Sequence, residues 1–456
     1  MTEPEDDIGG EQPTAGRARW TAEDGREALR GVVGGLIGGA LATIFVVSVT
    51  TLIKEVLADV MRQPTWVMIV APFVGIIGAV LILNRVAQGQ AVLPVADGAP
   101  PPRRFSAWLR FPANAVRADL TVDVVRNAGR EENFPWRFAP IRAAAIMSTV
   151  SLGAPMGTES PAAHLGVAAG AALESRGGWW RGLARPAGLG GGAAGVAALM
   201  GLPLVGLMFM LELGRRNRAP ISLPRVLAAT SGALVGWGVN KALNLSLIRL
   251  IVPTIAPSDL VQALATAALV GALSGALCSV TGSAIYWVRS WSAGLTTKLL
   301  AGGAVLLACM LAISALATPS AAIGPGASAV SWAEGAGVSA GTLLAVAVLR
   351  AVATTAAVTA GGCGGLFVPL LAIGDLCGRA LAPWLGATSE LAAAAGSAGG
   401  IAGGYRLPLT AIAMVLTVGG PMPARLTCVA AVGVATASGV FVAYLLDRFA
   451  TRRAAA

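Results

Sequence analysis

A chain of 456 residues that is 55% hydrophobic and only 12% charged, with mean hydropathy +0.72, is not a soluble globular domain and reads as an all-α polytopic membrane protein. Its net charge of +10 is no nucleic-acid signal, because the arginines gather in polar loops and tails, where cytoplasmic bias puts them. One histidine and five cysteines (Cys278, Cys309, Cys363, Cys377, Cys428), all in apolar stretches without metal-ligand spacing, call for no metal and no cofactor.

In chain order, residues 1–30 are polar and open with Glu3, Glu5, Asp6, Asp7 and Glu11, so a disordered tail is expected there. Uncharged runs long enough to span a bilayer follow at 31–53, 66–84, 186–211, 260–288, 299–333, 351–374 and 426–446. Shorter runs at 143–158, 226–240, 335–349, 391–405 and 407–424 predict broken or re-entrant helices. About 14 or more helical pieces fit this pattern. The arginine-rich stretch 95–142, from Arg103 to Arg142, reads as a cytoplasmic juxtamembrane loop. Its Trp108 and Phe111 do not make the basic, aromatic surface that nucleic-acid binding needs. The polar link 214–225, with Arg215, Arg216 and Arg218, divides a first transmembrane half (31–220) from a second (221–447). A short basic tail, 448–456, ends the chain with no soluble regulatory domain.

Chemistry concentrates at Gly153-Ala-Pro-Met-Gly157-Thr158-Glu159-Ser160-Pro161, where Glu159 is the one acid or base between Ala143 and Leu173 apart from His164. A carboxylate at bilayer depth costs roughly 2.5 kcal/mol or more, so it is seldom kept without a task. Gly153 and Gly157 let backbone approach a ligand closely, and Pro161 is the favoured first residue of a helix. The expected object is a broken helix whose N-terminal N–H groups and dipole face an anion, with Glu159 as a tethered competitor for that place. A plainer reading makes Glu159 a structural helix cap.

The same skeleton returns 208 residues later, where Gly361, Gly365, Pro369, Gly374 and Gly378 match Gly153, Gly157, Pro161, Gly166 and Gly170 without gaps. Leu202-Pro203-Leu204 through Glu212 likewise pairs with Leu407-Pro408-Leu409 through Thr417 at an offset of 205. Two collinear matches read as an internal repeat, and paired Gly/Pro-broken segments point to a transport site at the repeat interface. Phe367 stands where the first copy has Glu159, which favours a functional role for that acid over a cap.

These residues resemble the CLC family of chloride channels and chloride/proton exchangers. Gly157-Thr-Glu159-Ser-Pro161 is similar to the family's Gly-(Lys/Arg)-Glu-Gly-Pro, and Gly365-Leu366-Phe367-Val368-Pro369 matches Gly-X-Phe-X-Pro in full. Pro203-Leu-Val-Gly-Leu and Pro408-Leu-Thr-Ala-Ile resemble two further segments, in order, over roughly 140–446. The resemblance implies two inverted-topology halves with broken or re-entrant helices, a homodimer with one pore per subunit, and a small inorganic anion, chloride first, held by helix N-termini. It implies a gating and proton-linked role for Glu159, anion contacts at Gly157, Thr158, Ser160, Gly365, Leu366 and Phe367, and a multi-pass place in the plasma membrane with both termini cytoplasmic.

Departures from the family pattern matter equally. Ala91 stands at the position of the family's anion-contacting serine, and Thr158 replaces the basic residue before the gating glutamate. The inner pair of acids reads Glu212-Leu213, with leucine at the relay position, which leans toward a channel over proton-coupled exchange. The pore tyrosine has Tyr444 as its nearest candidate, four positions off the ungapped alignment. Glu212 fits either an interfacial ion pair with Arg215 or Arg216 or a proton path, and His164 fits either a proton path or a satisfied helix histidine. Tyr405 and Arg406 mark either a pore mouth or a loop. The alternative function is secondary transport of an organic or other non-chloride anion on the same repeats. An intramembrane hydrolase built on Ser160 and His164 lacks an orienting acid and a nucleophile elbow, so no enzyme is expected.

Overall fold

The computed structural model describes residues 22–87, 139–216, 220–243, 255–335, 337–418 and 426–455. Ala91 and most of the arginine-rich stretch, 95–138, lie outside the described residues. The described chain is helical, with one isolated antiparallel bridge, Gly157 to Gly365, as its sole extended pairing.

The first set of helices is α1 (Ala22–Met61), α2 (Thr65–Ala87), α3 (Ala139–Ser151), α4 (Glu159–Glu174), α5 (Gly178–Met200), α6 (Pro203–Arg216) and α7 (Leu223–Leu243). The second is α8 (Leu260–Ser290), α9 (Leu295–Leu316), α10 (Pro319–Ala322), α11 (Ala327–Ala333), α12 (Ala340–Thr359), α13 (Phe367–Leu381), α14 (Ser389–Gly404), α15 (Pro408–Val418) and α16 (Leu426–Ala455). Among the described residues, seven helical segments are long and apolar enough to cross a membrane, including α1, α8 and α9. The protein is a multi-pass membrane protein of two inverted halves, and the antiparallel sense of the Gly157–Gly365 bridge is the local mark of that inversion.

Packing repeats between the sets. Helix α5 is the hub of the first, touching α1, α4 and α7, and α14 is the hub of the second, touching α8, α13 and α16. Both hubs are built from glycine and alanine, which let backbones close without side chains between them. A Cβ on Gly166 would lie 2.3 Å from the carbonyl carbon of Gly191, and one on Gly374 would lie 2.3 Å from the carbonyl oxygen of Gly396.

Several expectations change. Helix α7 packs on α1 and α5, as α16 packs on α8 and α14, so the halves divide between Leu243 and Ile255 rather than at 214–225. Helix α1 begins at Ala22, so residues 22–30 are helical, and α16 runs through the basic tail to Ala455. The apolar run 186–211 is two helices, because Gly201 takes φ +68° and closes α5 before Pro203 opens α6. Arg142 is buried in α3 instead of lying in a polar loop.

Candidate anion site

The centre of the fold is made from two helix stops and two helix starts. At the end of α3, Gly153 donates to the Val150 carbonyl (3.1 Å) and Ala154 to that of Thr149 (3.2 Å). At the end of α12, Gly361 donates to Val358 (3.1 Å) and Gly362 to Ala357 (2.9 Å). Both are Schellman stops, and both need a left-handed residue, which Gly153 (φ +89°) and Gly361 (φ +97°) supply. These glycines turn the chain at the two helix ends.

The chain then runs extended for a few residues and meets its counterpart. The Gly157 amide donates to the Gly365 carbonyl at 2.7 Å, and the Gly365 amide returns the bond to Gly157 at 2.8 Å. Immediately beyond, α4 starts at Glu159 and α13 at Phe367. Their preceding residues adopt nearly the same conformation, Thr158 at φ −88°, ψ −3° and Leu366 at φ −110°, ψ −5°. Neither helix has a side-chain cap, a trait shared with α5, α8, α9 and α11, whereas Thr318, Ser339 and Thr388 cap α10, α12 and α14. Two uncapped N-termini, each equivalent to roughly half a positive charge, therefore flank one glycine pair. Helix starts left open in this way offer backbone N–H groups that suit negative charge. Leu366 and Phe367 are buried, and the side chains of residues 159–164, including Glu159, Ser160 and His164, lie outside the described residues.

Contacts from the other elements hold this geometry. Thr149 Oγ1 accepts from the Cys363 amide at 3.2 Å, and Thr354 Oγ1 donates to the Pro155 carbonyl at 3.2 Å, so each bond crosses between halves. Met156 fills the space beside Gly362 and Gly364, where a Cβ would lie 3.0 Å from its sulfur and 2.7 Å from its Cβ respectively. Arg350, fully buried in α12, donates to the carbonyls of Ala321 (2.6 Å), Ala322 (3.4 Å) and Gly324 (2.7 Å). The Gly324 amide in turn donates to the Gly153 carbonyl at 2.8 Å. A cation thus pins the short α10 segment, and that segment braces the turn leading to Glu159. Arg350 escaped notice in the sequence, although a lone charge between apolar runs was its signal.

On the second half's side, the Phe367 ring stands edge-on to two others. Phe209 of α6 lies 6.0 Å away at 88°, and Tyr405, just after α14, lies 6.0 Å away at 74°. Tyr444 is not at this place: it is 49% exposed on α16, with the Arg448 guanidinium 4.6 Å from its ring centroid. Tyr405 and Arg406 do lie in the turn between α14 and α15, where Tyr405 is buried and Arg406 takes φ +58° and pairs with Asp447.

Glu212 has a third role, beyond those its neighbours in sequence suggested. Its carboxylate leaves α6 and receives the Leu409 amide (2.7 Å), the Thr410 amide (2.7 Å) and the Thr410 hydroxyl (2.6 Å). The first half thereby caps the first turn of α15 in the second. Leu213 beside it is fully buried.

A sequence model of the family described as voltage gated chloride channel matches residues 106–440. The H(+)/Cl(-) exchange transporter ClcA of Cronobacter sakazakii (strain ATCC BAA-894) is 29% identical over 293 residues, 62% of either chain. That of Klebsiella pneumoniae (strain 342) is 28% identical over 62% of this chain and 61% of its own. The match thus spans less than two thirds of these relatives' length. Among solved structures, a slow cyanobacterial Cl-/H+ antiporter superposes with TM-score 0.65 at 19% identity, over 92% of this chain and 95% of its own. A CLC-type fluoride/proton antiporter gives 0.62 at 18% over 93% and 97%. At these identities the likeness is one of fold.

Proposed function

Because the chain belongs to the voltage-gated chloride channel family, we propose that it moves chloride or a similar small anion across the membrane and that Glu159 gates the path. The observation that carries this reading is the pair of uncapped helix starts, Glu159 and Phe367, on either side of the reciprocal Gly157–Gly365 bridge. In this reading the backbone around Gly365, Leu366 and Phe367 holds the anion centrally, and Gly157, Thr158 and Ser160 hold it at the outer position. Glu159, when ionised, occupies an anion place at the start of α4 and, when protonated or displaced, opens it. In sequence, alanine stands at position 91 where the family has its anion-contacting serine, so that hydroxyl is missing from the motif. The protein acts as a homodimer in the plasma membrane with both termini cytoplasmic.

Leu213 at the inner relay position supports uncoupled, channel-like conduction. A second reading, chloride/proton exchange, is favoured by the names of the relatives from Cronobacter and Klebsiella, and His164 then joins Glu159 on the proton side. Purified protein in liposomes under a chloride gradient, with an external pH electrode, tests both. Chloride efflux without proton movement, altered by Glu159→Ala, supports conduction. Coupled proton uptake that Glu159→Ala abolishes supports exchange. No flux of chloride, nitrate or fluoride would sink the anion reading and turn attention to organic anions.

A further inference from the structure

Four contacts close into a circuit around the start of α13. Phe209 and Glu212 lie three residues apart on α6, hence on one face of that helix. Phe209 meets the Phe367 ring, and Phe367 meets Tyr405. From Tyr405 the chain passes through Arg406, the one non-glycine at positive φ among the described residues, to Pro408 at the start of α15. That start is gripped by the Glu212 carboxylate, which returns the path to α6. The circuit joins both halves and encloses the residue whose amide opens α13.

We propose that Glu212 is a positioning residue for the anion site, acting through α15, Tyr405 and Phe367, an inference that rests on the transport reading above. Its carboxylate has three donors, all on Leu409 and Thr410, so its local chemistry is that of a cap. A cap made within one helix would only stabilise that helix. This one is supplied across the interface from the helix that also carries Phe209, so releasing it frees α15 and Tyr405 from α6 together. Phe367 then loses the ring that seats one of its edges, and the first turn of α13 keeps the Gly157–Gly365 bridge but loses one of the contacts that orient it. The connection is short: Arg406 and Leu407 alone separate Tyr405 from Pro408, and the left-handed Arg406 is held between those two anchored ends.

The test is the chloride dependence of efflux from liposomes, measured for the wild type, Glu212→Gln, Tyr405→Leu and the double variant. Each single variant is expected to raise the half-saturating chloride concentration about fivefold or more while changing the maximal rate less than twofold. The double variant is expected to be no worse than the worse single one, because both break the same circuit. Thr410→Val should shift half-saturation in the same direction, and Thr410→Ser, which keeps the hydroxyl, should restore it. Should Tyr405→Leu fail to fold, Phe209→Leu breaks the circuit at another contact and takes its place. Unchanged half-saturation in Glu212→Gln, or shifts that simply multiply in the double variant, would overturn the positioning role. A loss of maximal rate at unchanged half-saturation would mark Glu212 as a merely structural cap and overturn it equally. A silent wild-type protein would instead overturn the transport reading beneath it.

Discussion

Gly157 and Gly365 occupy the same place in the two halves and are bonded to each other, amide to carbonyl, at 2.7 and 2.8 Å. The residues that repeat in sequence are therefore partners in space. Their peptide groups, both buried, satisfy one another, and what stays available beyond them is the pair of helix starts.

The turns before the bridge depend on left-handed backbone. Gly361→Ala places a Cβ at φ +97° and should cost about 1–2 kcal/mol in strain. A lower unfolding midpoint in detergent, with weaker anion binding, is the expected result; unchanged thermal stability would count against the Schellman stop.

Close helix contact at the second hub has no room for a side chain. Gly374→Val, facing the Gly396 carbonyl, should destabilise by about 1–3 kcal/mol through overpacking, seen as a lower unfolding midpoint. Gly182, with open space around it, should accept alanine with almost no change in the same measurement.

Removing the buried cation of α12 should damage both stability and transport. Arg350→Met leaves the carbonyls of Ala321, Ala322 and Gly324 without their donor, at about 1–3 kcal/mol for each buried orphan. Arg350→Lys keeps the charge but cannot reproduce a guanidinium fork that reaches three carbonyls, so only partial recovery is expected. Thermal unfolding and chloride efflux, run on the same preparations, check both statements.

The two tyrosines should separate cleanly. Tyr444→Ala, on an exposed face of α16, should leave anion efflux within about twofold of wild type, since a surface substitution away from the core is usually worth little. Tyr405→Ala removes a ring packed against Phe367 and should change the anion dependence of efflux. Equal effects would place the site elsewhere.

Much of the centre was legible because glycine, proline and one carboxylate in an apolar field leave marks that survive without a structure. The repeat showed where the chain breaks, and the breaks fall there. Helix limits inside long apolar runs were not legible: nothing in the hydropathy of 186–211 marks Gly201 as left-handed, and that conformation alone divides α5 from α6. The boundary between halves was misplaced because arginines at 215–218 look like a linker, whereas the packing of α7 on α1 and α5 assigns it to the first half. Glu212 was visible as a residue but not as a cap, because the amide it receives, that of Leu409, lies 197 positions away in the chain.

The glycine pair also sets a schedule for synthesis. Gly157 cannot find its partner until Gly365 has been made, 208 residues later. At 5–20 residues per second that is a wait of roughly 10–40 seconds. Throughout that interval the newborn first half holds an unpaired peptide group and an uncapped helix start at what will become its buried centre. The membrane insertion machinery must keep this half-built core wet or sheltered until its mirror copy arrives.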